Sequence, residues 1–133
     1  MFSAQEQPED HDHRAFTPLD LFNPTEEHTQ LREMLKSFVE NEVEGQALEF
    51  NRKELFNKDL FQKCGELGLL GVTCDEEYGG SGLDATAAVI VHEELSSADP
   101  AFCLSYLAHA ILFVNNLNQV NNKPNMNERW IYE

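Results

Sequence analysis

Residues 84–117 read DATAAVIVHEELSSADPAFCLSYLAHAILFVNNL, and the same device opens two helices within them. Asp84 precedes Ala85, and Asp99 precedes Pro100. An aspartate side chain can accept from the unpaired N–H groups of a first turn, and proline suits the first helical position because its missing N–H costs nothing there. Between Ala85 and Ser97, the residues Ala87, Ala88, Val91 and Leu95 recur at helical spacing and form a smooth face for close packing. From Ala101 to Leu117 the chain is apolar nearly all round, through Phe102, Leu104, Tyr106, Leu107, Ile111, Leu112, Phe113 and Val114. A helix of that kind is expected to be buried on most sides.

Upstream, residues 75–82 (DEEYGGSG) read as a loop, with three glycines in four residues allowing positive φ and close backbone approach. They match neither a P-loop nor a dinucleotide fingerprint. Asn57 is placed to cap a helix carrying Leu60, Phe61, Cys64 and Leu67 on one face, and Gly68 stands where a C-terminal glycine is wanted. The apolar run Leu69 to Thr73 leaves that helix. A first helix is expected to open at Asn23-Pro24 and to run to about Val43 on the stripe Leu31, Leu35, Phe38. Gly45 weakens the pattern, with a short turn from Gln46 to Phe50 beyond it. Residues 1–20 have few large apolar groups and read as a disordered acidic arm. From Asn118 onward no helical or strand period is visible, and residues 118–133 read as an irregular Asn-rich tail that includes Trp130 and Tyr132. The expectation is an all-α bundle of four or five helices over residues 21–117.

The 133 residues suffice for one domain. Nine Lys+Arg against 24 Asp+Glu give a net charge of −15, which repels phosphate backbones and anionic bilayers and argues against nucleic-acid binding. No apolar run approaches the roughly 18–20 residues of a membrane span. The first twenty residues hold five acids and only Arg14 as a base, unlike a secretory signal or a transit peptide. Three cysteines, Cys64, Cys74 and Cys103, are odd in number and form no C-x-x-C, so reduced thiols are expected rather than disulfides or zinc. Cys64 and Cys103 fall in helical patterns and read as small core residues.

Several constellations could carry chemistry, and each has a plainer reading. His11 and His13 form an H-x-H pair on the arm, where a solvated tail is preferred to a metal site. His92-Glu93-Glu94 lacks the second histidine of H-E-x-x-H and reads as exposed helix polarity. Ser105 and His109 share a helix face, but no orienting acid or oxyanion donor accompanies them, which favours packing over nucleophilic catalysis. Asp75, Glu76 and Glu77 are consecutive rather than spaced as calcium ligands, and read as a solvated charge run. No metal site and no self-sufficient catalytic residue emerges.

Between residues 67 and 117 a family resemblance appears. Leu67-Gly68-Leu69-Leu70-Gly71-Val72, then Tyr78-Gly79-Gly80-Ser81-Gly82-Leu83, then Glu93-Glu94-Leu95-Ser96, resembles the N-terminal helical domain of the acyl-CoA dehydrogenases. Leu104-Ser105-Tyr106-Leu107-Ala108-His109, followed by Asn115-Asn116-Leu117, looks most like the isovaleryl-CoA dehydrogenase branch. Upstream, Leu31-Arg32, Phe38-Val39 and Glu42-Val43 with Ala47 and Phe50 also fit, so the resemblance covers about residues 22–117.

The resemblance implies a flavoenzyme with FAD as cofactor, an acyl-CoA substrate desaturated between the α and β carbons, and electron-transfer flavoprotein as partner. It implies a mitochondrial matrix location, the cytoplasm being the alternative. Family members are about three times longer, and the resemblance stops near Asn118, as it would for a truncated product or an altered reading frame. No residue matches the family's catalytic base. The positions that match its acyl-pocket wall are Leu104, Leu107 and Ile111, with Leu107 narrowing the cavity, although plain core packing would place apolar residues there too. Residues 54–122 contain only Lys58 and Lys63 as Lys or Arg, too few for the phosphates of CoA and FAD. The expected role is therefore the N-terminal part of a short branched-chain acyl-CoA dehydrogenase, inactive alone. The alternatives are a non-enzymatic helical module docking on a partner, or on a second copy, through exposed apolar helix faces, and a fragment of an acyl-CoA oxidase.

Overall fold

A computed structural model describes residues 22–121. The acidic arm with His11 and His13, and the tail beyond Asn121 with Trp130 and Tyr132, lie outside the described residues. Within them the chain forms α1 (Glu26–Phe38), a π-type segment (Val39–Val43) and α2 (Glu44–Lys53), which together make one long rod. Then follow α3 (Lys58–Glu66), α4 (Ala85–Ala98) and a second long rod made of α5 (Pro100–Leu107), a π-type segment (Ala108–Asn115) and α6 (Asn116–Asn121). Two short 3₁₀ turns, Leu69–Gly71 and Glu76–Tyr78, lie between α3 and α4. The fold is all-α, with four helical rods among the described residues.

Side-chain caps fix the helix starts. Asp84 accepts from Ala87 N at 2.9 Å, Asp99 from Phe102 N at 2.9 Å, and Asn57 from Leu60 N at 3.0 Å. The first helix departs from expectation. Its cap is Thr25, which accepts from His28 N, so Pro24 precedes the cap instead of opening the helix. Asn23 instead accepts from Nε of Arg32 at 2.7 Å. Gly45 does not interrupt the rod; α2 runs on to Lys53 and ends at Glu54, in the left-handed region with φ 55°.

α4 is the central element, with α1 and α5 packed on it. Its residues Ile90, Val91 and Leu95 meet Leu35, Val39 and Val43 of the first rod, together with Leu60, Cys64, Leu69, Phe102 and Tyr106, in one core. Arg32 of α1 reaches Glu93 at 2.8 Å and Glu94 at 2.5 Å, tying the polar edges of α1 and α4 together.

The last rod corrects two expectations. It is not buried on most sides: Phe102, Cys103, Tyr106 and Ala110 face the core, while Leu104, Leu112, Phe113 and Leu117 are exposed. The rod also continues past residue 117. Asn118 is 4% exposed, its Nδ2 is 3.5 Å from both the Thr73 carbonyl and Asp75 Oδ1, and Cys74 donates to its Oδ1 at 3.7 Å. A residue counted in the irregular tail therefore anchors the rod on the loop after α3. Pro100–Val120 is long and apolar enough to cross a membrane by length and composition alone, which corrects the reading that no apolar run approaches that length. A helix with one face in a bundle core passes the same test.

Candidate functional site

A groove of about 680 Å³ with a mostly apolar lining lies between α4 and the last rod. From α4 the groove is lined by Ala85, Ala88, Val89, His92, Glu93 and Ser96, and Cys103 of the last rod reaches the His92 carbonyl at 3.5 Å. Small residues on α4 leave the space, and the series Cys103, Leu107, Ile111, Asn115, each four apart, forms the opposite wall. Thr73 donates to Asn115 Oδ1 at 3.1 Å and closes one end.

Two of the three expected wall residues, Leu107 and Ile111, line this groove, both partly buried. Leu104 stands outside it, 67% exposed on the open flank of the rod. The contributions of His92 and Cys103 were missed at the sequence level. The spacing of four from Leu107 back to Cys103 was the available signal; for His92 it was the spacing of four from Ala88.

His92 is not an exposed polar residue. Its ring is partly buried 5.0 Å from that of Tyr106, and its Nδ1 lies 2.6 Å from the Ala88 carbonyl. Glu93, on the groove rim, is paired with Arg32. Ser105 bonds back to the Ala101 carbonyl at 3.5 Å, and His109 packs between the rings of Phe61 and Phe113, so both serve packing. Asp75 faces Asn118, and Glu77 faces the Tyr78 hydroxyl, whose pKa it raises by hydrogen bonding. The three cysteines are separate and buried, and desolvation pushes the Cys64 thiol up to about 12.

The profile of the acyl-CoA dehydrogenase N-terminal domain matches residues 25–131. The chain belongs to the acyl-CoA dehydrogenase family. Mitochondrial isovaleryl-CoA dehydrogenase of Pongo abelii is 39% identical over 95 residues, covering 70% of this chain and 22% of that protein. A short-chain-specific acyl-CoA dehydrogenase of Clostridium acetobutylicum is 35% identical over 98 residues, 74% of this chain and 26% of that one. Mitochondrial isovaleryl-CoA dehydrogenase of Arabidopsis thaliana is 36% identical over 99 residues, 73% of this chain and 24% of that one. The chain thus spans about a quarter of the length of the curated relatives it matches. The family match extends past residue 117, where the motif resemblance stopped.

Members of this family generally use FAD, and a dinucleotide needs cations or open helix N-termini at its diphosphate. The described residues do not fit that demand. Thr25, Asn57, Asp84 and Asp99 each close their own helix with a side chain. Arg32, Lys53 and Lys63 are each paired with glutamate, and Lys36, Arg52 and Lys58 lie exposed on three different helices.

Proposed function

We propose that this chain is the N-terminal helical part of an FAD-dependent acyl-CoA dehydrogenase acting on short branched acyl thioesters of the isovaleryl type, and that it supplies a wall of the acyl site without turning substrate over by itself. The observation that carries this reading is the dressing of the last rod in a chain of this family. Leu107 and Ile111 face a groove, and Leu104, Leu112, Phe113 and Leu117 face outward. An apolar wall this open suits a site completed by other protein segments. The flavin, the proton acceptor and the electron-transfer flavoprotein then belong to the completed enzyme, in the mitochondrial matrix.

The test is a visible spectrum and a dye-reduction assay on the purified 133-residue chain. It is expected to purify without flavin absorbance and to reduce no dye with isovaleryl-CoA and added FAD. Acyl-CoA-dependent dye reduction by the chain alone would sink the reading.

A further inference from the structure

We propose that residues 16–21 (FTPLDL), which lie outside the described residues, fold back along the groove between α4 and the last rod and cover it, with Leu19 and Leu21 seated against Val89 and Ile111. The position of the first described residue, Phe22, points there. Arg32 Nη2 donates both to the Phe22 carbonyl at 3.3 Å and to Glu93 Oε2 at 2.8 Å, so one guanidinium nitrogen separates the end of this segment from Glu93. Glu93 lines the groove. The chain N-terminal to Phe22 therefore leaves from the groove's own edge.

Reach, side-chain alternation and charge agree with that placement. Six extended residues span about 20 Å, and the α4 wall from Ala85 to Ser96 is about 16 Å long. Pro18 biases Thr17 towards an extended backbone. Successive side chains of an extended chain point to opposite sides. Phe22 is 67% exposed, so Leu21 and Leu19 fall on the side away from it, while Asp20 shares its solvent side. Four of the five acids among the first twenty residues lie upstream of residue 16, which leaves this segment as the apolar part of the arm. The wall it meets is open and neutral: Val89 is 56% exposed, and Glu93, the one Asp, Glu, Lys or Arg in the lining, is already paired with Arg32. A second copy would bring another −15 of net charge to this face, whereas the tethered segment brings only Asp20. The tether also makes the contact intramolecular, which favours it over any weak association between chains. Such a cover needs neither thioester nor flavin, so the inference stands apart from the enzymatic reading.

Methyl NMR of the 133-residue chain, labelled at Ile, Leu and Val, tests this. Leu19 and Leu21 are expected to show through-space contacts to Val89 and Ile111 that persist on dilution. Leu19→Ser with Leu21→Ser is expected to abolish those contacts and to move the Ile111 methyl resonance, while that of Ile90, 1% exposed in the core, stays in place. No contact between these leucines and the groove in the unaltered chain would overturn the proposal. Contacts that a mixture of labelled and unlabelled chains assigns between molecules would give the groove to a second copy and overturn it as well. So would an Ile111 methyl indifferent to the double substitution. The contacts in the unaltered chain decide the matter even if the variant does not fold.

Discussion

Asp84 shows how much one side chain holds. It caps α4 through Ala87 N and also accepts from His28 Nε2 at 2.9 Å, while His28 Nδ1 lies 2.7 Å from Thr25 Oγ1, the cap of α1. One buried imidazole thus ties two N-caps together. Gln46 does the same for the other pair, with its amide 3.2 Å from Asp99 and accepting from Asn57 at 2.9 Å. The caps Asp84, Asp99 and Asn57 were legible in the sequence because capping is local. The residues that join the caps were not, because those contacts span 53 to 56 positions for Gln46–Asp99 and His28–Asp84. The Asp84 carboxyl is held below its usual range, first by the Ala87 N–H and then by His28. A depressed carboxylate stabilises above its unfolded pKa, about 3.9, and that contribution is lost as pH falls through the folded value. Asp84→Ala is expected to lose about 1 kcal/mol at neutral pH, whereas Asp84→Asn keeps the cap and loses mainly the steepness of the acid limb. Urea unfolding between pH 3 and 7, pH values chosen to bracket about 3.9, checks both. Tyr106 is a second case. Fully buried, it donates to the Leu69 carbonyl, so Tyr106→Phe leaves that oxygen unpaired and is expected to cost about 1–3 kcal/mol in the same assay.

At the scale of elements, the glycine loop was legible in kind and not in detail. Ser81 N donates to the Gly71 carbonyl at 2.9 Å, Gly82 N to Cys74 at 2.9 Å and Leu83 N to Val72 at 2.8 Å, so the loop folds back on the turn after α3. A Cβ on Gly80 would meet the Cys74 carbonyl oxygen at 2.1 Å, whereas one on Gly79 would meet nothing within 4 Å. Gly79, at φ 81°, carries only the left-handed penalty, about 1–2 kcal/mol for alanine. Gly80→Ala must displace backbone and is expected to cost clearly more than Gly79→Ala, a ranking that paired thermal melts read directly. The π-type segments left no comparable trace in the sequence. Each adds a residue to a turn inside an otherwise regular rod, which shifts the faces that a fixed helical period assigns. Leu104 and Leu107, by contrast, both lie within α5 before the second π-type segment, and residues three apart on an α-helix of 3.6 residues per turn are about 60° apart around its axis, so Leu104 falls on the open flank while Leu107 faces the groove.

For the whole molecule, the contrast between charge and apolar surface decides behaviour. The chain carries −15 overall, yet residues 100–121 contain no Asp, Glu, Lys or Arg. Apolar content alone predicted burial for that rod; what was not legible is that the described residues cover only one side of it. Leu112 and Phe113 are each 60% exposed, Leu104 is 67% and Leu117 49%. Exposed large apolar side chains gathered on one rod are the kind of surface to which apolar molecules bind. The chain is therefore expected to enhance the fluorescence of an environment-sensitive apolar dye while natively folded. Leu112→Glu with Phe113→Glu should remove most of that enhancement and shift stability by no more than about 0.5 kcal/mol, because neither residue belongs to the core. Dye titration and urea unfolding on the same samples separate the two effects. If the double variant binds dye as before, the exposed flank is not the apolar face, and the wall assigned to the last rod loses its support. If dye binding falls together with stability, the two side chains hold the bundle and the rod is buried on more sides than its exposures indicate.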